Sequence, residues 1–252
     1  MAVLLFLASA LCLHAQDAES VIRASRDRIK ADTVSTRSKM VIAAKDGSTT
    51  ERVLDQYSKD GPKGSRTVIV FQSPSTIAGT RFLTMENQGG ADDRWIFLPS
   101  LGKVRRVAAS EGGGSFMGTD FSYDDISSMS RGVELDTHTH LREENYGGSP
   151  CYVIQSVPKN SSYQYSKMVQ WVIKDSKIIS KIELYDKKNT LIKTVEMSGI
   201  KDVQGRSTVT VTKIITHAAG TSTTINMEIV KYDDNIPEKV FTVEFLETGR
   251  AR

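Results

Sequence analysis

Alternation with a period of two constrains this chain more than any other feature. Val169, Trp171 and Ile173 alternate with Gln170, Val172 and Lys174, and comparable runs recur from residue 35 to residue 246. Such runs, broken by turn residues, are the signature of antiparallel strands. Residues 35–43 and 50–58 flank Asp46-Gly47, a strong hairpin signal. Further strands are expected at 65–71, 81–85, 94–98, 103–107, 182–184, 191–197, 207–216 and 221–232, with a closing strand at 240–246. The pattern, some of its runs short, predicts about ten or eleven strands with short turns and no βαβ alternation. That makes the chain mainly β with helices, an α+β protein built on one curved sheet or barrel.

Two segments break the rhythm. Ala18, Val21, Ile22, Ser25 and Ile29 recur at helical spacing, with Arg23, Arg26, Asp27, Arg28 and Lys30 on the other side. This predicts one N-terminal helix that needs a sheet to cover, with Asp17 as its N-cap. Glycines from Gly112 onward, followed by Tyr123 to Met129, predict a loop and then a short helix. No fixed-period repeat and no linker divides the chain, so residues 16–252 are expected to form a single domain.

Residues 1–15 read differently. Ala2 to Leu13 carries no charge and is built on Leu4, Leu5, Phe6, Leu7 and Leu11. That suits the apolar core of a signal peptide and is too short to span a bilayer of about 30 Å. Cleavage after Ala15 is one expectation, and lipidation of Cys12 in the lipobox-like Ser9-Ala10-Leu11-Cys12 is the other. Both imply export, either free or tethered through an N-terminal lipid. No later stretch is apolar enough for a transmembrane helix. Only Cys12 and Cys151 are present, so loss or acylation of Cys12 leaves Cys151 as a small buried hydrophobe.

Charge narrows the partners. A net charge of +3 without a dense Lys/Arg run argues against nucleic acid. His138-x-His140 puts two imidazoles on one strand face, but no third ligand follows at a diagnostic spacing, so no metal is expected. Ser115 misses the G-x-S-x-G spacing and has no α/β surroundings, so no nucleophile elbow is expected. Gly112 to Gly114 lacks the Gly-Lys-Ser/Thr ending of a phosphate loop. No catalytic residue and no cofactor are expected.

What remains is a binding surface between Phe71 and Asp125. Phe71, Phe82, Trp95, Phe97, Phe116, Met117, Phe121 and Tyr123 form the expected wall and lid of an apolar cavity, although each taken alone would more often be core. Gly112 to Met129 is the candidate lid. Arg105 and Arg106 are adjacent on a strand and point to opposite faces. An inward one at the cavity mouth could hold a phosphate or an ester carbonyl through its planar fork.

At the same residues the sequence resembles the LolA-like outer-membrane lipoprotein-sorting proteins. The resembling elements are Pro74 to Leu83 (PSTIAGTRFL), Trp95 to Pro99 (WIFLP), Lys103 to Arg106 (KVRR) and Ser115 to Asp125 (SFMGTDFSYDD). The ending, Asn235-Ile236-Pro237 before Phe241-Thr242, fits as well. The resemblance implies an incomplete antiparallel β-barrel, with the N-terminal helix and a short lid helix covering an apolar cavity. It further implies a periplasmic, monomeric carrier that binds acyl chains of lipoproteins or a phospholipid and moves them toward the outer membrane. Two alternatives stay open: a non-carrying accessory subunit of an inner-membrane lipid exporter, and a lipid hydrolase.

Overall fold

The computed structural model describes residues 18–62, 64–87, 92–127 and 131–251. The expectations that fall on Asp17, Cys12, the signal segment and the end of the lid at residues 128–129 lie outside the described residues. The contacts gather the chain into two compact units that interleave along the sequence. Among the described residues, one holds 18–30, 131–201 and 206–219, and the other holds those of 31–127, 202–205 and 220–251.

The second of these carries seven strands: β1 (Thr33–Ala43), β2 (Thr49–Lys59), β3 (Arg66–Ser73), β4 (Arg81–Met85), β5 (Asp93–Leu98), β6 (Lys103–Arg106) and β13 (Thr221–Tyr232). They lie in the order β6-β5-β4-β3-β2-β1-β13, each antiparallel to its neighbour. The β1–β2 turn forms at the expected Asp46-Gly47. Gly47 takes φ 86° there, and Asp46 accepts hydrogen bonds from the backbone and side chain of Ser48.

One face of this sheet is covered from the C-terminus. Val68 and Leu83 pack with Ile236, Val240, Phe241, Phe245 and Leu246. The expected closing strand at 240–246 is therefore corrected: Glu238–Phe241 is a 3₁₀ turn and Val243–Thr248 is a helix. The local chemistry explains why. Thr242 Oγ1 accepts from the Phe245 backbone N–H, and Gly249 ends the helix at φ 66° with its N–H donating to the Phe245 carbonyl. Phe241 from the turn and Phe245 from the helix are then buried in the same apolar layer.

The other unit carries β7 (Asp136–Tyr146), β8 (Ser149–Pro158), β9 (Lys167–Ile173), β10 (Ile179–Tyr185), β11 (Leu191–Val203) and β12 (Arg206–Thr216). Their order is β12-β11-β10-β9-β8-β7. Thirteen strands are thus present among the described residues rather than ten or eleven. The polar edge strand β7, with Arg142, Glu143 and Glu144 on it, obscures the alternation in the sequence. Helix α1, described over residues 18–27, buries Ala18, Val21 and Ile22 against Val133, Ile154 and Val172. Cys151 is a free thiol, fully buried beside Val153, Val169 and Trp171. Among the described residues no helix is long and apolar enough to cross a membrane.

Candidate functional site

Strand register decides where the aromatic residues go. Leu54 lies opposite Phe71, Ile69 opposite Phe82, and Phe82 opposite Ile96. These residues share one face of β2–β5, and Phe71, Phe82 and Ile96 are fully buried. Phe116 reaches the same face from the irregular segment. Its ring lies 6.0 Å from Phe71, 5.1 Å from Phe82 and 5.6 Å from Tyr123, in tilted and edge-on arrangements. Tyr123 in turn lies 5.6 Å from Phe82. Rings at these separations attract beyond the area they bury, by about 0.5–1.5 kcal/mol per pair.

Trp95 and Phe97 go elsewhere. Each is one residue away from Ile96, so alternation sends both to the opposite face, where they pack on the C-terminal helices. Phe97 lies under Arg81, whose guanidinium carbon is 4.4 Å from the ring centre while its Nε donates to the Leu246 carbonyl at 2.7 Å. The structure therefore brings together Phe71, Phe82, Phe116 and Tyr123, with Phe121 buried nearby in sequence. Trp95 and Phe97 belong to a second apolar layer. Met117 is half-buried at the turn of the segment, with φ 53° next to Gly118 at φ 74°.

The segment over this face is pinned by polar contacts. Arg52 Nη1 donates to the Met117 carbonyl at 2.7 Å, and its guanidinium sits 5.9 Å from the Phe71 ring. Burial lowers the pKa of Arg52. Asp120 is buried, accepts from Thr223 Oγ1 at 2.7 Å and from the Thr221 hydroxyl, and donates its backbone N–H to Thr223 Oγ1 at 3.0 Å. The Phe116 N–H donates to the Phe121 carbonyl at 2.7 Å, closing the turn. Helix α2 (Tyr123–Ser127) follows, with Asp124 and Asp125 in its first turn, where negative charge is favoured. Asp124 sits so close to Gly112 that a Cβ there would collide with its carboxylate.

Arg105 and Arg106 occupy the edge strand β6 and point to opposite faces, paired with Ile96 and Trp95 respectively. Arg105 contacts Glu111 at 3.1 Å, and Arg106 pairs with Asp93. The backbone N–H of Ala108 and then Arg105 lower the pKa of Glu111. The arginine that sequence reasoning missed is Arg94. It is buried on the aromatic face, with Nη1 2.7 Å from Asp124 Oδ1. Its parity with Ile96 was the available signal.

Comparison with known proteins now bears on this geometry. A family model described as "uncharacterized protein" matches residues 63–248. A DUF1329 family protein from Desulfovibrio piger is 28% identical, with 92% of this chain and 99% of that one covered at a TM-score of 0.87. A domain assigned to outer-membrane lipoprotein sorting from Vibrio parahaemolyticus is 25% identical, with the same coverage and a TM-score of 0.86. The chain belongs to the LolA-like family.

A LolA superfamily protein from Nitrosomonas europaea shares the fold at 20% identity and a TM-score of 0.73, with 90% of this chain and 98% of that chain covered. The fold class is thus the incomplete antiparallel β-barrel with helices that the LolA-like resemblance implied. No curated protein matches the sequence.

In this LolA-like chain Ser115 and the described histidines have the following partners. Ser115 Oγ donates to the Thr119 carbonyl at 2.7 Å. His138 is buried with one ring nitrogen 2.8 Å from Ser156 Oγ and the other 3.0 Å from the Val133 carbonyl. His217 Nε2 lies 2.9 Å from Thr194 Oγ1, and His140 meets the Tyr152 ring edge-on. Among the described residues no three His, Cys, Asp or Glu side chains are grouped to hold a metal.

Proposed function

We propose that the protein is a periplasmic carrier that binds acyl chains of lipoproteins or lipids and moves them toward the outer membrane. Residues 1–15 act as its export signal, cleaved after Ala15 or lipidated at Cys12 to tether the chain, and residues 16–252 act as the lipid-binding part. The observation that carries the reading is the aromatic face of Phe71, Phe82, Phe116 and Tyr123, covered by the segment from Gly112 into α2, in a protein of the lipoprotein-sorting family. An apolar lining with a few placed polar groups is what a site for a greasy ligand requires. Phe121 and Met117 supply further apolar contact from the covering segment. Trp95 and Phe97 support the site from the layer behind it, and Arg105 and Arg106 flank it at the sheet edge.

Because ligands that bind the folded state raise its stability, delipidated protein should melt at higher temperature with a triacylated lipopeptide or a phospholipid. Mass spectrometry of the native protein should find a co-purifying acylated molecule. A folded sample that gains nothing from either ligand and carries no lipid would end the carrier reading. Crosslinking in cells separates it from an accessory subunit: a carrier traps acylated cargo, an adaptor only its transporter. A hydrolase would turn over phospholipid and lose that turnover in Ser115→Ala.

A further inference from the structure

At the polar end of the aromatic face, three hydrogen-bond donors sit side by side with no acceptor in line. Arg94 on β5 and Thr84 on β4 are direct register partners, two residues from Ile96 and Phe82 on the same face. Arg94 is 7% exposed and Thr84 6%. Nε and Nη1 of Arg94 and Oγ1 of Thr84 are buried and form no hydrogen bond. Nη1 does approach Asp124 Oδ1 at 2.7 Å, close enough for charge attraction but out of line for a bond, and Nη2 lies 3.4 Å from Asp92 Oδ2. More than nine in ten buried polar groups find partners in folded proteins, so a trio of this kind is suited to receive an acceptor.

The surrounding charges say which acceptor fits. Asp92 and Asp124 already balance the guanidinium, and burial raises the pKa of Asp92, so further negative charge is disfavoured at this position. A phosphate would bring a third anion beside two carboxylates. A neutral carbonyl oxygen brings none, and its two lone pairs can accept from Arg94 Nε and the Thr84 hydroxyl while Nη1 stays with Asp124.

We infer that Arg94 and Thr84 form a subsite for the neutral carbonyl of an acyl ester or amide, whose hydrocarbon chain lies along Phe82, Phe116 and Phe71. The inference rests on the carrier reading and adds to it the chemical group that is recognised. It also separates Arg94, whose side chain is buried, from Arg105 and Arg106, whose side chains are exposed at the sheet edge.

The test compares two probes on delipidated full-length protein: 1-myristoylglycerol and the ether 1-tetradecylglycerol, which differ by the carbonyl. Wild type should bind the ester about tenfold tighter, as expected for one to two well-made hydrogen bonds in a dry site. The infrared carbonyl stretch of the ¹³C-labelled ester should move to lower frequency on binding. Thr84→Val should cut the ester preference severalfold, and Arg94→Met should abolish it, with ether affinity retained in both. Should Arg94→Met fail to fold, the wild-type ratio and Thr84→Val still decide. Equal binding of ester and ether by wild type overturns the subsite and leaves the carrier reading intact. An ester preference that survives both substitutions places recognition elsewhere and also overturns it. Binding of neither probe by folded wild type ends both readings.

Discussion

The two units cover their sheets in different ways. Helix α1 packs on its sheet mainly through apolar contacts, Ala18, Val21 and Ile22 against Val133, Ile154 and Val172 with Tyr152 and Ile179 beside them. Its other side faces solvent with the exposed pair Glu19–Arg23. The segment from Gly112 to Ser127 also buries a large group, Phe116, but adds polar ties at Met117, Asp120 and Asp124. Aliphatic contacts are non-directional, so a helix held by them can shift without leaving a polar atom stranded. A segment held by buried polar pairs cannot move part-way, because each broken pair leaves an unsatisfied group. The difference suggests that the loop cover has discrete closed and open states, whereas the helix cover adjusts continuously.

The strongest way to break this comparison is to remove the ring that the loop inserts. Phe116→Ala should cost about 3–5 kcal/mol in urea unfolding, the usual range for deleting a buried phenyl group. A cost below about 1 kcal/mol would mean that the neighbouring rings collapse into the space and that Phe116 is no anchor. On the helix side, Ile22→Ala should cost about 2–3 kcal/mol, since Ile22 is 2% exposed. Its effect on hydrogen exchange should be graded along residues 18–27 rather than all-or-none. Uniform exchange of the whole helix at one rate would contradict the sliding picture.

Asp120→Ala tests the polar ties directly. It leaves the buried Thr223 hydroxyl without its acceptor and should cost about 1–3 kcal/mol. The amide of Phe116 should lose protection together with that of Asp124, because both belong to the pinned segment. Loss of protection at residue 120 alone would show that the ties act separately and that the segment has no cooperative opening.

How much of this was legible in the sequence differs between the same two regions. The helix read correctly because Ala18, Val21, Ile22 and Ser25 keep strict helical spacing, and all four are buried. A loop and then a short helix, expected from the glycines and from Tyr123 onward, are present with the helix over Tyr123–Ser127. Parity within strands is what the grouping by composition left out. Trp95 and Phe97 are aromatic neighbours of Ile96 and therefore cannot share its face, yet composition groups them with Phe82. Arg94 escaped notice because an arginine beside Asp92 and Asp93 looks solvated, although alternation places it inward. The ending was misread because Val240, Phe241, Phe245 and Leu246 form an apolar run too short for periodicity to separate helix from strand. Thr242 and Gly249, the cap and the stop, were the deciding signals there.

The smallest effect expected concerns the solvent side of α1. Glu19 Oε1 accepts from Arg23 Nη2 at 2.7 Å, four residues on, and that bond lowers the pKa of Glu19. A carboxylate with a depressed folded-state pKa contributes stability above its unfolded pKa and loses it as the pH falls through the folded value. Both side chains are about half exposed, so the pair is solvated and screened, and its contribution is expected to be close to nothing measurable. Arg23→Ala should therefore return the Glu19 carboxyl titration, followed by NMR, to the ordinary glutamate range while the urea midpoint barely moves. A clear drop in the midpoint at pH 7 that disappears at pH 3 would show that the helix is held electrostatically after all. In that case its cover would resemble the loop's, and the contrast between the two units would fail.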